Sequence, residues 1–196
     1  PDGGLERKGV VYSEMRGALS EQIRMVINAL FRSLYPDSIY AYESGGEPEE
    51  IVKLKHADLV RFHAEYYHPS NAYFYSYGNL PLADNLKFVS DNALNGCGFQ
   101  APETRIQPQK RWTEPGEFKF FYPLDKSEDP ENKAYVNIAW LTCDITQNRD
   151  MLAMALLERV LLGDDSYPLR KALLDSGLGT AVSICGFEYE FKDTFF

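Results

Sequence analysis

Three histidines, three cysteines and one carboxylate in an apolar setting are the residues whose chemistry this sequence most invites one to test. His63-Ala64-Glu65-Tyr66-Tyr67-His68 has the composition of a zinc motif. Its spacing argues against one. Two helical zinc ligands need histidines at i and i+4, whereas five residues carry His68 about 140° around the helix from His63. His56 and His63 share a face but stand two turns apart, too far for one ion. His63 and His68 are better placed to serve a helix end and the turn at Pro69. Cys97, Cys143 and Cys185 are widely spaced, with no Cys-x-x-Cys pair, so neither a zinc knuckle nor a redox motif is offered. They read as three reduced thiols, Cys143 as a small core residue. There is no nucleophile elbow, no P-loop and no dinucleotide fingerprint. Ser176-Gly177-Leu178-Gly179 reads as a helix stop.

Glu14 remains. It lies in Gly9-Val10-Val11-Tyr12-Ser13-Glu14-Met15-Arg16-Gly17, near the front of a helix and beside apolar residues. A carboxylate buried there would need a partner, and Arg16 points to another face. Taken alone, the residues leave Glu14 either as a surface acid, the simpler reading, or as an acid with a partner elsewhere.

The elements that must position these groups follow from periodicity. Residues 9–35 read as two helices with Gly17 weakening the middle. Ser20 is the expected N-cap of the second, with Ile23, Val26, Ile27, Leu30, Phe31 and Leu34 on its inner face. Pro36 stops it. Residues 37–50 form a loop centred on Ser44-Gly45-Gly46. His56–Tyr67 is an amphipathic helix with Leu59, Phe62 and Tyr66 inward. Residues 72–77 read as an aromatic strand, and 81–94 as a helix opened by Pro81 in its first turn. Residues 95–117, with six Gly and Pro, read as a linker. Beyond it come strands at 117–121 and 134–143, helices at 148–163 and 169–176, and a strand pattern from Val182 to Phe196. The Met151, Met154, Leu157 and Leu161 side of the long helix faces inward. The mixture without regular βαβ alternation predicts an α+β fold.

The chain has 196 residues, 44% of them apolar, which is core material for one large or two small domains. A net charge of −9 without a basic stripe argues against nucleic acid and against anionic lipid as partners. No apolar run is long enough to cross a bilayer.

Gly9-Val-Val-Tyr-Ser-Glu-Met-Arg-Gly17 resembles the third-ligand segment of the pitrilysin/insulinase-type zinc metallopeptidases, in their presequence-protease branch. So do Ser44-Gly-Gly-Glu-Pro-Glu-Glu-Ile51, Phe62-His-Ala-Glu-Tyr-Tyr-His-Pro-Ser-Asn-Ala72, Phe74-Tyr-Ser-Tyr-Gly-Asn-Leu-Pro-Leu82 and Leu173-Leu-Asp-Ser-Gly-Leu-Gly179, in the family's order. In that family one zinc is held by two histidines of an inverted His-x-x-Glu-His motif and by a downstream glutamate. The motif's own glutamate is the general base. The resemblance assigns the downstream ligand to Glu14. The motif itself is absent from this sequence, so the resemblance implies that it lies upstream and that no catalytic residue is in this chain. It further implies parts of two consecutive pitrilysin-like α+β domains, each an antiparallel sheet with helices on one face. Residues 1–94 would be the second half of the first, catalytic-type domain, 95–117 the linker and 118–196 the first half of the second domain. Unfolded peptides, degraded in a closed chamber, and the remaining domains of the same polypeptide are the implied partners. The Ser44–Gly46 segment is either a chamber lining or a plain turn. The implied compartment is the cytoplasm for a bacterial source or an organelle matrix for a eukaryotic one. The alternative is a non-catalytic module of the same family, serving structure or binding.

Overall fold

A computed structural model describes residues 8–182 and 186–196. The chain divides into two units. One comprises the segments up to Pro48 and from Ile106 onward; the other is Glu49–Arg105.

In the first unit, α1 (Val10–Ala18) and α2 (Gln22–Leu34) form the expected helical pair. They are separated by a turn in which Ser20 Oγ donates to Gly17 O at 2.6 Å. Ser20 therefore closes α1 instead of capping α2, whose N-cap is Glu21 without a side-chain cap. The hydroxyl is spent on the preceding turn, where a local acceptor was nearer. Leu30, Phe31 and Leu34 reach the core as predicted, but Ile23 and Ile27 are exposed. The core is formed around the end of α2: Tyr35 is fully buried, and Leu34 and Phe195 pack with it. A single turn of 3₁₀ helix, Ile39–Ala41, interrupts the predicted loop, and a short helix α3 (Pro48–Ile51), all but its first residue in the second unit, ends it.

Only two strands are laddered among the described residues. β1 (Leu141–Asp144) and β2 (Asp193–Phe195) pair antiparallel. The result agrees with an α+β class, helix-rich with a small sheet. The register slips by one residue between Leu141↔Phe195 and Asp144↔Asp193. This bulge is held by Thr194, fully buried, whose hydroxyl accepts from Cys143 N–H at 3.1 Å and donates to Cys143 O at 2.7 Å. Thr142 Oγ1 lies 2.7 Å from the same oxygen. The side chain thus replaces the ladder bonds that a bulge removes. Thr194→Val should leave both Cys143 backbone groups unpaired, costing about 1–3 kcal/mol locally. Faster hydrogen exchange at the Cys143 amide would report it, with Thr194→Ser restoring most of the protection. Equal exchange in the Val variant would show that the hydroxyl holds nothing. At the end of β1, the Lys192 ammonium hydrogen-bonded to Asp144 holds that carboxyl well below the usual carboxylate range.

Helices α6 (Asn148–Leu162) and α7 (Pro168–Asp175) match the periodicity. Met151, Met154 and Leu161 are half-buried, while Leu157 is exposed. α7 has Pro168 in its first turn, and Gly177 at φ +65° ends it. The predicted linker contains a buried staple. Gln109 donates its backbone N–H to Asp193 Oδ2 at 2.7 Å, and its amide exchanges bonds with Asp37 at 2.9 and 3.0 Å. Arg111 reaches Asp193 Oδ1 at 3.1 Å.

The second unit holds α4 (His56–Tyr66) and α5 (Leu82–Val89), with a π turn at Ser90–Leu94. Pro81 sits at the N-cap of α5, just before the first turn. Leu59 and Phe62, expected inward, are exposed. Tyr66 is half-buried, with its ring tilted against that of Phe62 at 4.8 Å.

Residues 72–77, 117–121 and 134–140 are not laddered, against the strand prediction. Trp140 still exchanges backbone bonds with Phe196 at 3.0 Å each way. A strand exists by virtue of its partner, and the other predicted segments find none among the described residues. Their alternating side chains are bare: Tyr73, Tyr75 and Tyr77, then Phe118 and Phe120, then Val136, Ile138 and Trp140. Exposed apolar side chains in such number favour association. The chain produced by itself should therefore self-associate. A monodisperse monomer in sedimentation, with a cooperative calorimetric melt, would contradict that expectation.

Candidate functional site

Glu14 stands at the fifth position of α1, on its exposed side. Val10 and Val11, one turn earlier, are exposed as well, Val10 at 85%. Among the described residues Glu14 makes no hydrogen bond or ion pair. The partner that a buried carboxylate would need is therefore not required here; the side chain faces outward with both oxygens unengaged.

The orientation of α1 comes from its neighbour. Met15 is the one buried residue of α1, 7% exposed. It seats on Gly45, where an added Cβ would stand 2.8 Å from Met15 Cε and nearer still to Sδ. Gly45 belongs to a tight turn in which Gly46 N–H donates to Glu43 O at 2.9 Å, and Gly46 has φ +88°. The glycine segment is thus a turn that receives a side chain of α1. The turn is tied to α2. Arg24 grips Glu43 through Nη2 at 2.8 Å and Nε at 3.3 Å, and Arg32 pairs with Glu47. Burial pushes the Glu43 carboxyl up, but the Arg24 fork outweighs it and the net shift is downward.

The histidines behave as turn and helix residues. His63 stacks on Tyr67 at 4.8 Å, and His68 Nδ1 accepts from Ser70 N–H at 3.2 Å, capping the turn Pro69–Asn71. His56 opens α4 and is exposed. Among the described residues no group of three His, Cys, Asp or Glu could hold a metal ion. Cys97 is exposed and Cys143 buried, both as free thiols; Cys185 lies outside the described residues. Glu14 fits the role of a single anionic ligand, and nothing beside it in the described chain completes a site. No described helix is long and apolar enough to cross a membrane.

Sequence reasoning missed the Met15–Gly45 seat and the Asp37–Gln109–Asp193 staple. The paired glycines were the only signal for the first. Nothing in the residue pattern marked the second, whose members lie 72 and 84 positions apart.

The fold and an outward carboxylate define a class only together with relatedness. Residues 53–196 match the family described as the Peptidase M16 inactive domain. The chain belongs to the M16 peptidase family. Within it, the similarity is to presequence proteases, as the residue strings implied. The chain is 37% identical, across its whole length, to the mitochondrial presequence protease of Xenopus laevis, covering 19% of that protein. It is 37% identical over 91% of its length to Protein HypA of Clostridium perfringens, covering 18% of it. It is 32% identical over 97% of its length to presequence protease 1, chloroplastic/mitochondrial, of Arabidopsis thaliana, covering 18%. The chain thus spans about a fifth of the length of the curated relatives it matches. Glu14 lies outside the stretch that matches the inactive domain.

Proposed function

We propose that this chain is part of a zinc metalloendopeptidase that degrades unfolded peptides, and that Glu14 is its third protein ligand to zinc. The observation that carries the reading is an unpaired, outward carboxylate on a helix anchored by its neighbouring residue. It stands in a chain similar to presequence proteases from end to end. The two remaining ligands and the general base come from outside these residues, in an inverted His-x-x-Glu-His motif. When bound, zinc lowers the pKa of a coordinated water and polarises a peptide carbonyl. Glu14 contributes a hard anion and a fixed direction; the rest of the chain contributes walls and interdomain contact. Unfolded peptides and the other domains of the polypeptide are the partners, and zinc is the cofactor. The compartment is an organelle matrix or a bacterial cytoplasm, in keeping with relatives named as mitochondrial, chloroplastic and clostridial.

The full-length protein tests this directly. It should hold one zinc per chain, cleave an unstructured peptide and spare a compact folded protein. Absence of both zinc and cleavage would leave the second reading, a non-catalytic M16 module. That reading is favoured by the one observation that most of the chain matches an inactive domain.

The domain assignment is part of the same proposal: residues 1–94 and 118–196 in consecutive pitrilysin-like domains, joined by 95–117. Limited proteolysis of the full-length protein should cut within 95–117 before either flank. Within that stretch, cleavage should favour residues before the Gln109 staple. First cuts confined to 20–35 or 148–163 would overturn the boundary.

A further inference from the structure

We propose that residues 106–112 form a releasable strap that locks the end of α2 to β2, with Gln109 as its fastening. Gln109 is the one buried residue between 95 and 117, 4% exposed. It lies in a segment with neither helix nor ladder, which makes no backbone-to-backbone hydrogen bond among the described residues. Side chains hold the segment instead, and they hold it on two sides. Toward the end of α2, Gln109 Nε2 donates to Asp37 Oδ2 at 2.9 Å and Gln109 Oε1 accepts from the Asp37 N–H at 3.0 Å. Trp112 Nε1 donates to Leu34 O at 3.3 Å on the same side. Toward β2, the Gln109 N–H and the Arg111 guanidinium donate to the two carboxylate oxygens of Asp193, at 2.7 and 3.1 Å.

The two sides are far apart in sequence and meet at a seam. Tyr35 donates its hydroxyl to Asp193 O there, and the Tyr40 hydroxyl accepts from the Lys192 N–H at 2.9 Å. The strap crosses this seam and covers Asp193, 3% exposed, whose carboxylate would be costly to keep buried without the strap's donors. A helix or a ladder opens against many mutually supporting bonds. The strap lacks them, so it leaves without unfolding either neighbour. Gln109 matters most because one residue engages both sides, its amide the Asp37 side and its own N–H the Asp193 side. Once it is released, water reaches Asp193 and the two flanks lose a shared partner, so both open more readily. The inference needs neither zinc nor Glu14, and it holds wherever the domain boundary lies.

The test uses the full-length protein, with native-state hydrogen exchange and brief trypsin digestion. Gln109→Met keeps the bulk of the side chain and removes both bonds to Asp37. It should speed exchange at residues 30–35 and at Phe195 and Phe196 together, each by about tenfold. The amides of α6 serve as the internal reference and should not change. In the parent, trypsin should cut after Arg105 well before it cuts after Lys110 or Arg111; in Gln109→Met the three bonds should be cut at similar rates. Arg111→Met loosens the strap from the Asp193 side and should give the same pattern of exchange at about threefold. Acceleration at one flank alone would show that 106–112 belongs to that flank and locks nothing. Unchanged exchange in Gln109→Met overturns the proposal as well, as does a Lys110–Arg111 bond that stays protected in that variant.

Discussion

Glu14→Gln in the full-length protein should lower zinc affinity by at least about 100-fold and reduce peptide hydrolysis by a similar or larger factor. Glutamine keeps the length and shape of the side chain and removes the charge. Two neutral imidazoles and a carboxylate partly neutralise the ion; with an amide in the third place the ion keeps its full charge and one ligand bond is weaker. The fold should not register the change. Glu14 is exposed and unengaged among the described residues, and the anchor of its helix is Met15. Circular dichroism and the metal-free melting temperature should therefore match the parent. Zinc content after dialysis and the rate of hydrolysis are the two readouts. Unchanged values in both would remove Glu14 from the site, and no other described residue is placed to succeed it.

The second large effect is structural. Tyr35→Ala should cost about 3–5 kcal/mol in the unit that contains α2 and β2. Tyr35 is fully buried, with Tyr40, Phe191, Phe195 and Phe31 at ring distances of 5.3 to 6.2 Å. Its hydroxyl donates to Asp193 O at 2.5 Å. Burial, and then the Asp193 charge, push the phenol above its ordinary range, so it remains a donor at any physiological pH. Truncation leaves a ring-sized cavity and a buried carbonyl without its donor. Tyr35→Phe isolates the second loss and should cost about 1–3 kcal/mol. Hydrogen exchange of α2 and β2 in the full-length protein measures both. The Ala variant should speed the slowest amides by on the order of 10²–10³; a change below about threefold would show that the aromatic cluster is not what holds this unit together.

The helices were legible because their signals are local. The periodicity at residues 22–34, 56–66 and 148–162 and the stop at Gly177 involve neighbours within a few turns. The strands were only half legible. Alternation at 134–143 predicts a strand, but only Leu141–Asp144 is laddered, since pairing depends on a distant segment. Burial failed for a similar reason. Leu59 and Phe62 lie on the apolar face of α4, and the face is real, but no described residue covers it. Glu14 stood out as an acid among apolar residues, yet its chemistry came from the resemblance of a nine-residue string. Its surroundings fit a ligand and a surface acid equally, because no group of His, Cys, Asp or Glu stands with it among the described residues. Ser20 shows a local rule losing to a nearer acceptor: the residue type was right for a cap, and the hydroxyl went to Gly17 O.

The bulge between β1 and β2 also fixes how many residues this part of the chain can contain. Thr142 and Cys143 share one opposite number, Thr194. Deleting either would restore an even ladder and keep Leu141 opposite Phe195 and Asp144 opposite Asp193, but it would take away the backbone groups that the buried Thr194 hydroxyl engages. A further residue inserted in either strand would have no such side chain to hold it, and would turn everything beyond it to the other face. Single-residue insertions and deletions should therefore be absent from 141–144 and 192–195 in working variants, while the charged loop at 125–132 tolerates them. Length itself, and not only residue type, is under constraint at this corner of the sheet.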